Sequence, residues 1–536
     1  MRIPSFRAPR FHWSSGNVLN DCTEYFITQY LDHFNWNIPK ELNSNTYKQR
    51  YFVCGGESWK PNDPIWFYTG NEADVTLYIN ATGLMWENYA TYNAIMVFAE
   101  HRYFGQSIPF PVDKMLANPS LYLQWLSSDQ ALADYAVLIE TLTTAWNSTS
   151  SAVIGFGGSY GGMLCSWFRL KCSFFFVSFS FFLFKLSKKR FSFQYPQWVD
   201  GCIAGSAPIM GFMGLHPPVD DNYYAQIETY DCSAAVSHFF FFKLKKKKKK
   251  RKTAKNNIRH AWPVIFDWAK TQQGRNKLQE IFKWCVPLLT ESEASGIADW
   301  VSSAISSMAM GSYPYPSSYM LDGQGYLPSY PLQSSCNQFL SQDLTTNNVS
   351  LLTAMRELAG VFYNYSGTEQ CYVDLNVTYY LTHKQESEYL YNEALISFSW
   401  GYLYCTYIVL VSGQDGVNDM FWYQPWNVTQ TIESCQQSYG VTPRPYWASV
   451  NYGGWGIKGQ ISNVVFSNGQ FDPWRGGGVN VNLSDSAFAI NTGNVGHHMD
   501  LMFSNPQYDP QSVIAARKFE LNNIATWINA KSKFAL

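Results

Sequence analysis

The sequence predicts an α/β protein: a mostly parallel sheet with flanking helices, interrupted by a large, mainly helical insertion. Three observations carry this expectation. Short apolar runs ending in polar or glycine-rich turns alternate with stretches of helical spacing, the rhythm of strands joined by helical crossovers. The run Ala152-Val153-Ile154 leads directly into GFGGSYGGML, residues 155–164, where one serine stands among five glycines. Between about residues 210 and 445 the rhythm gives way to helical patches and loops rich in proline and tyrosine.

Taken in order, Ile65-Trp66-Phe67-Tyr68 reads as a strand that ends at Thr69-Gly70-Asn71. Residues 94–99, AIMVFA, form a second buried strand closed by Glu100-His101-Arg102. Residues 129–139 have helical spacing, with Ser128 as the expected cap. A strand at Ala152-Val153-Ile154 precedes Ser159, residues 160–171 read as a helix, and Gly201-Cys202-Ile203-Ala204-Gly205 reads as the next strand. In the insertion, residues 264–284 form a helical patch. The sheet resumes at Val464-Val465-Phe466-Ser467-Asn468, continues through the apolar residues 487–490, and a helix over 513–528 closes the chain.

Composition narrows the function. Of 536 residues 46% are hydrophobic and only 15% charged, ample for a large core. The formal net charge of −1 hides a clumped distribution. Thirteen basic residues sit in two segments without acidic residues, 172–194 and 238–252, and without them 26 basic residues face 40 acidic ones. An acidic body argues against a nucleic-acid partner. The first segment, CSFFFVSFSFFLFKLSKKRFSFQ, has an apolar stretch too short to span a membrane. The second, HFFFFKLKKKKKKRK, fits a nuclear-localisation or anionic-surface patch. Phe and Lys runs are also what T-rich and A-rich non-coding DNA encodes. Both segments are therefore read as translated intron, absent from the natural protein. Eleven cysteines without a C-x-x-C pair favour disulfides over zinc, hence an oxidising compartment. Sequons at Asn80, Asn147, Asn348, Asn364, Asn376, Asn427 and Asn482 agree with it. The first residues carry no apolar signal segment, which the same faulty gene structure would explain.

Gly157-Gly158-Ser159-Tyr160-Gly161 fits G-x-S-x-G, a strand-to-helix turn that exposes a serine nucleophile. A plain turn would also use such glycines, so the rest of the chain must supply a base and an acid. Asp472 lies in a glycine-rich turn after the strand at Val464, and His497 and His498 follow the apolar residues 487–490. An Asp-Pro turn is common and paired histidines are more often structural. Three loops in the order Ser, Asp, His, each after a strand, reverse that balance. The fold this order implies is the α/β-hydrolase fold with an inserted cap domain: hydrolase parts at 22–209 and 450–536, cap at 210–449.

Several further stretches resemble the family of serine peptidases that contains Pro-X carboxypeptidase and dipeptidyl peptidase II. They are Tyr25-Phe26 through Leu31-Asp32-His33-Phe34, FYTGNE at 67–72, AEHRYFG at 99–105, GGSYGGML, SAPI, NDMF, SNGQFDPWRGGGV and GHHMDL. The resemblance covers nearly all of 22–530 outside the two odd segments. It implies Ser159 as nucleophile, Asp472 as orienting acid and His497, not His498, as base. His498 is left a packing role. The oxyanion hole would use the backbone N–H of Tyr160 and of Asn71 or Glu72, with Ala73 standing where the family carries glycine. Met163 and Trp474 would wall a pocket for a prolyl ring, and Glu100, His101 and Arg102 would form a structural ion-pair cluster. Disulfides Cys232–Cys336, Cys285–Cys371 and Cys405–Cys435 are implied by the family pattern.

The resemblance thus implies a lysosomal or secreted serine exopeptidase that cleaves after proline and releases a C-terminal residue through an acyl-enzyme. The alternative is release of N-terminal X-Pro dipeptides, as in dipeptidyl peptidase II; the words around Asn418-Asp419-Met420-Phe421 favour the carboxypeptidase. An esterase is disfavoured by the lack of an HGGG-type loop, and an inactive binding protein by the presence of all three triad residues. The expected partners are peptides with proline next to the scissile bond. No cofactor, metal, nucleic acid or membrane span is expected, and a homodimer is left open.

Overall fold

The computed structural model describes residues 18–534 apart from 38, 40, 41, 43, 171–197, 235–243, 322, 374–376 and 385–387, and describes only the backbone of 244–252, 389 and 534. An eight-stranded sheet forms its centre: β1 Cys22–Tyr30, β2 Thr46–Cys54, β3 Ile65–Thr69, β4 Ile95–Ala99, β5 Val153–Gly158, β6 Gly201–Gly205, β7 Val464–Asn468 and β8 Ala487–Asn491, in the order β1-β2-β4-β3-β5-β6-β7-β8. β1 and β2 are antiparallel to their neighbours, and the other six strands run parallel throughout. Strands β3, β5, β6 and β7 are buried along their whole length. That is why they read as continuous apolar runs rather than as alternation.

β1 and β2 escape a reading of apolar pattern, and polar residues inside the sheet are the reason. Gln29, Gln49 and Arg50 are buried, Gln29 Nε2 donates to Gln49 Oε1 at 2.8 Å, and Arg50 pairs with the Glu100 carboxylate at 2.5 Å. The helix expected over 129–139 spans Ser128–Ala145, and its cap is Ser127, whose hydroxyl accepts from Gln130 N at 3.2 Å. Ser128 is already helical and accepts from the Tyr452 hydroxyl at 2.9 Å. The patch 264–284 is two helices, Leu244–Ala269 and Gln272–Phe282, separated where Thr271 caps the second. The last helix runs over Gln511–Phe534.

Between β6 and β7 the chain leaves the sheet for a run of helices that includes Tyr223–Ser233, Glu291–Met310, Asn348–Tyr363 and Glu388–Thr406. Strand alternation sends Phe67, Val97, Ala99 and Val153 to one face of the sheet, and Trp66, Met96, Phe98 and Ile154 to the other. The first face continues without a break into cap residues Trp262, Ile305, Met308 and Leu358. These helices and the sheet thus share one apolar core.

All ten cysteines among the described residues are bonded, as Cys22–Cys54, Cys165–Cys202, Cys232–Cys336, Cys285–Cys371 and Cys405–Cys435. The last three are the pairs the family pattern implies; the first two go beyond it. Cys22–Cys54 ties the ends of the paired strands β1 and β2, and Cys165–Cys202 ties the helix after β5 to β6. The segment 172–194 lies outside the described residues. So does the first part of 238–252, while the backbone from Leu244 onward is helical. Among the described residues no helix is long and apolar enough to cross a membrane, and no group of three His, Cys, Asp or Glu could hold a metal ion.

Candidate active site

Ser159 stands between β5 and the helix Tyr160–Leu170 with φ of 56°, a left-handed conformation that a residue with a Cβ adopts only under local constraint. Its N–H donates to Gly205 O at 2.8 Å and its carbonyl accepts from Met163 N at 3.0 Å. The surrounding glycines have a steric cause. A Cβ on Gly157 would run into the Gly161 carbonyl, one on Gly161 into the Asn71 side chain, and one on Gly158 would come within 2.9 Å of the His498 ring. The turn is tight enough that no other residue fits.

Asp472 follows β7 and is fully buried. Its Oδ1 accepts from Trp474 N at 3.1 Å and from His497 Nδ1 at 2.9 Å. The carboxylate therefore fixes which ring nitrogen of His497 carries the proton and leaves Nε2 as the basic atom. The His497 loop is held by the cap. Gly496 N donates to Ser312 O at 2.8 Å, His497 N to Met310 O at 2.9 Å, and the Tyr313 hydroxyl to His497 O at 3.1 Å.

His498 has another task. Its N–H donates to Ser206 Oγ at 2.8 Å and its Nε2 meets the Tyr319 hydroxyl at 3.1 Å. Burial, reinforced by His497, holds its ring well below the usual histidine range, so it stays neutral between sheet and cap.

The loop after β3 is stitched to the Ser159 turn. Thr69 Oγ1 lies 3.0 and 2.8 Å from Phe156 O and Gly161 O, which compete for its one proton, and Asn71 Nδ2 donates to Gly158 O at 2.9 Å. Ala73 is buried and does not have a positive φ, so alanine meets no left-handed strain there. Glu72 is buried as well, and among the described residues its Oε2 has no hydrogen-bond partner; burial pushes its carboxyl up to about 7.

Glu100 and Arg102 pair as expected, Glu100 with Arg50 and Arg102 with Asp134 at 2.7 and 2.8 Å. His101 departs from the expected ion-pair cluster. Its Nδ1 lies 2.7 Å from the Arg102 carbonyl, which only accepts, so Nδ1 carries the proton and Nε2 accepts from the Tyr160 hydroxyl at 3.1 Å. Burial lowers its pKa to about 4, which keeps it neutral. Sequence reasoning passes over this buried bridge to the residue beside Ser159, because nothing at 101 or 160 announces a contact 59 residues apart.

Trp474 lines a cavity of about 120 Å³. Tyr224 packs against it with ring centroids 4.9 Å apart, and Trp400, across the cavity, packs on Tyr160 at 5.5 Å. Met163 is buried in the core one turn after Ser159. Met420 and Phe421 of the NDMF stretch are buried, with Asp419 closing a turn onto Asp415 N and Phe421 N.

A strained serine after the central strand β5, an Asp–His pair in the loops after β7 and β8, and a mostly parallel sheet define a serine hydrolase of the α/β-hydrolase class. Comparison with known proteins narrows this. The family described as serine carboxypeptidase S28 matches residues 29–173 and 188–520, and the chain belongs to that family. It is 34% identical over 533 residues to the lysosomal Pro-X carboxypeptidase of Bos taurus, covering 98% of this chain and 93% of that protein. The Homo sapiens protein of the same name is 34% identical over 528 residues, with 98% and 92% covered. The prolyl carboxy peptidase like protein 5 of Caenorhabditis elegans is 28% identical over 505 residues, with 92% and 88% covered.

Proposed function

We propose that this serine carboxypeptidase cleaves after proline and releases the residue that follows it, with Ser159, Asp472 and His497 as catalytic triad. The 2.9 Å bond from His497 Nδ1 to the buried Asp472 is the observation that carries the reading. His497 Nε2 takes the proton of Ser159 Oγ as the oxygen attacks the prolyl carbonyl. The N–H groups of Tyr160 and of Asn71 or Glu72 stabilise the oxyanion. The tetrahedral intermediate collapses, the C–N bond breaks, and His497 gives its proton to the leaving amine. Water, activated by the same nitrogen, then frees the peptide. Trp474 and Met163 form the walls against which the prolyl ring packs. The enzyme is lysosomal or secreted; exposed sequons at Asn147, Asn427 and Asn482 are the favoured glycosylation positions.

Residues 172–194 are an insertion foreign to the enzyme. Arg169, at the end of the helix that follows Ser159, donates to Val199 O at 2.8 Å, so the two ends of this connection lie within one side chain of each other. A link of about 2–6 residues would serve. The two matched family stretches break inside the segment, and Cys172 within it is the eleventh cysteine, left over once the other ten pair.

The test uses peptides ending in Pro-Phe beside chromogenic X-Pro substrates, with a fluorophosphonate probe for the nucleophile. Release of phenylalanine and labelling of the wild type, both lost in Ser159→Ala, are expected. Cleavage of only the X-Pro substrates would assign the enzyme to the dipeptidyl class, and labelling of the variant would remove Ser159 from its role.

A further inference from the structure

A serine at φ of 56° keeps that conformation only where its surroundings leave it no alternative. The glycines around Ser159 make room for the turn but do not grip it. The grip comes from Tyr160, the first residue of the helix Tyr160–Leu170. Its ring is buried, and its hydroxyl donates to His101 Nε2 at 3.1 Å. His101 lies two residues after β4 and is itself fully buried.

Behind His101 stands a rigid frame. Its Nδ1–H donates to Arg102 O at 2.7 Å, which fixes both the ring and its tautomer. The Arg102 guanidinium is held by both oxygens of Asp134, at 2.7 and 2.8 Å, and donates to the carbonyls of Leu31, Trp125 and Tyr30. Burial lowers the His101 pKa to about 4, so Nε2 offers its lone pair at any higher pH. The same residue borders the loop of the second proposed oxyanion donor. A Cβ on Gly70, just before Asn71, would run into Ala99 O and come within 3.0 Å of His101 N, while Gly70 O accepts from the Tyr135 hydroxyl at 2.8 Å. His101 thus reaches Tyr160 with its ring and Gly70 with its backbone. Apolar rings would fill this space as well; what a buried donor–acceptor pair adds is direction.

We propose that His101 is a positioning residue of the oxyanion hole: by accepting from the Tyr160 hydroxyl, it fixes the direction of the Tyr160 backbone N–H. An oxyanion donor helps only if it is aimed before the charge develops, and a displacement of about 1 Å costs up to about 10²-fold. This rests on the reading of Ser159 as nucleophile and of the Tyr160 N–H as oxyanion donor, and deepens it. It makes no use of the preference for proline.

The experiment takes the full chain and three variants, Tyr160→Phe, His101→Asn and the two combined. Phenylalanine removes only the hydroxyl; asparagine keeps an N–H for Arg102 O but has no acceptor where Nε2 stood. The readouts are kcat and KM on acetyl-Ala-Pro-Phe, the rate constant of fluorophosphonate labelling, and affinity for acetyl-Ala-prolinal, whose hemiacetal oxygen takes the oxyanion position. Tyr160→Phe should lower kcat, labelling rate and prolinal affinity by about 10-fold or more, with KM little changed. The combined variant should lose no more than the worse single one, as the two ends of one link must. A purely structural bridge would lower the melting temperature and the number of labelled sites, and leave kcat per labelled site unchanged. That result overturns the proposal, and so do single-variant losses that multiply in the combined variant. If His101→Asn does not fold, Tyr160→Phe decides alone. A wild type that is labelled but cleaves no Pro-Phe peptide removes the proline reading only, and the labelling rates still decide this one. Labelling that persists in Ser159→Ala removes the nucleophile and this inference with it.

Discussion

Ser159 and His497 are held in place in opposite ways. The serine is fixed by its own neighbourhood. It follows a buried strand, sits at φ of 56°, and is ringed by glycines at which a Cβ would run into backbone or side chains. The histidine is fixed from far away: its N–H and that of Gly496 bond to the carbonyls of Met310 and Ser312, at the end of a cap helix nearly 200 residues earlier. The proposed nucleophile belongs to the sheet, while the proposed base is shared between the sheet and the helices inserted after β6. Any change that lets the cap settle differently should therefore reach the chemistry through His497 and leave the serine turn intact.

Gly496→Ala breaks the distant support most directly. A Cβ there would run into the Met310 carbonyl and come within 2.8 Å of Ser312 N, both backbone atoms with no freedom to give way. Overpacking of this kind costs about 1–3 kcal/mol. Displacement of the base by about 1 Å is enough to lose about 10²-fold in kcat. The expected outcome is a folded enzyme with kcat sharply reduced and KM little changed, read from steady-state kinetics beside thermal unfolding. Gly157→Ala is the matching change on the local side; its Cβ would collide with the Gly161 carbonyl, so the serine turn itself should be lost. Normal kcat in Gly496→Ala would show that the cap does not position His497.

Removing Cys285–Cys371 by paired serine substitution tests the cap as a support of finite stiffness. The bond closes 86 residues and fastens the turn after Phe282 to the segment that follows Tyr363. Loss of loop closure should lower stability by about 2–4 kcal/mol. Activity at low temperature should persist, because among the described residues neither cysteine is bonded to Ser159, Asp472 or His497. A denaturant melt of the oxidised protein against the variant measures the difference, and an unchanged midpoint would mean the bond adds nothing to the cap.

Two buried cap carboxyls give the comparison a pH axis. Burial, the dominant cause, pushes Glu228 up to about 8 and Asp231 up to about 7, with neighbouring acidic groups adding to the rise at Glu228. Each holds its proton more tightly folded than unfolded. The stability they contribute is fully present below the unfolded carboxyl range of about 4, and is lost as pH rises through about 7 and 8. The slope is at most about 1.4 kcal/mol per pH unit for each group. The thermal midpoint should fall from pH 5 to pH 8, and Glu228→Gln with Asp231→Asn should flatten the profile. A wild-type midpoint that rises over this range would contradict the assignment.

What the sequence displays, and what it hides, follows the same division. The strand before Ser159, the glycines and the Asp472 turn are legible because each answers a steric demand made within a few residues. The order of the three loops is legible because the fold fixes it. The Met310 and Ser312 carbonyls that hold the histidine loop leave no mark, since a carbonyl acceptor asks nothing of its own side chain. β1 and β2 are hidden by the buried Gln29, Gln49 and Arg50, which break the apolar alternation while satisfying one another and Glu100. Cys22–Cys54 and Cys165–Cys202 escape because their partners meet only once the sheet has formed, whereas the six cap cysteines stand out as a cluster.

The smallest expected effect checks whether glycine itself, or its surroundings, is what matters. Gly456 lies in the short turn of helix Gly454–Ile457, exposed, with an ordinary negative φ and nothing within 4 Å of where a Cβ would stand. Alanine fits there without strain and restricts the unfolded chain, so Gly456→Ala should raise stability by about 0.4–1 kcal/mol. A glycine in the same turn is the control. Gly454 has φ of 47°, and a Cβ on it would strike the Leu215 side chain, so the same substitution two residues earlier should destabilise. Chemical denaturation of the two variants beside the wild type gives both signs in one experiment. If both variants are destabilised alike, glycine here is needed for something other than space and backbone angle. The steric account of the glycines around Ser159 would then lose its support as well, because it rests on the same two criteria.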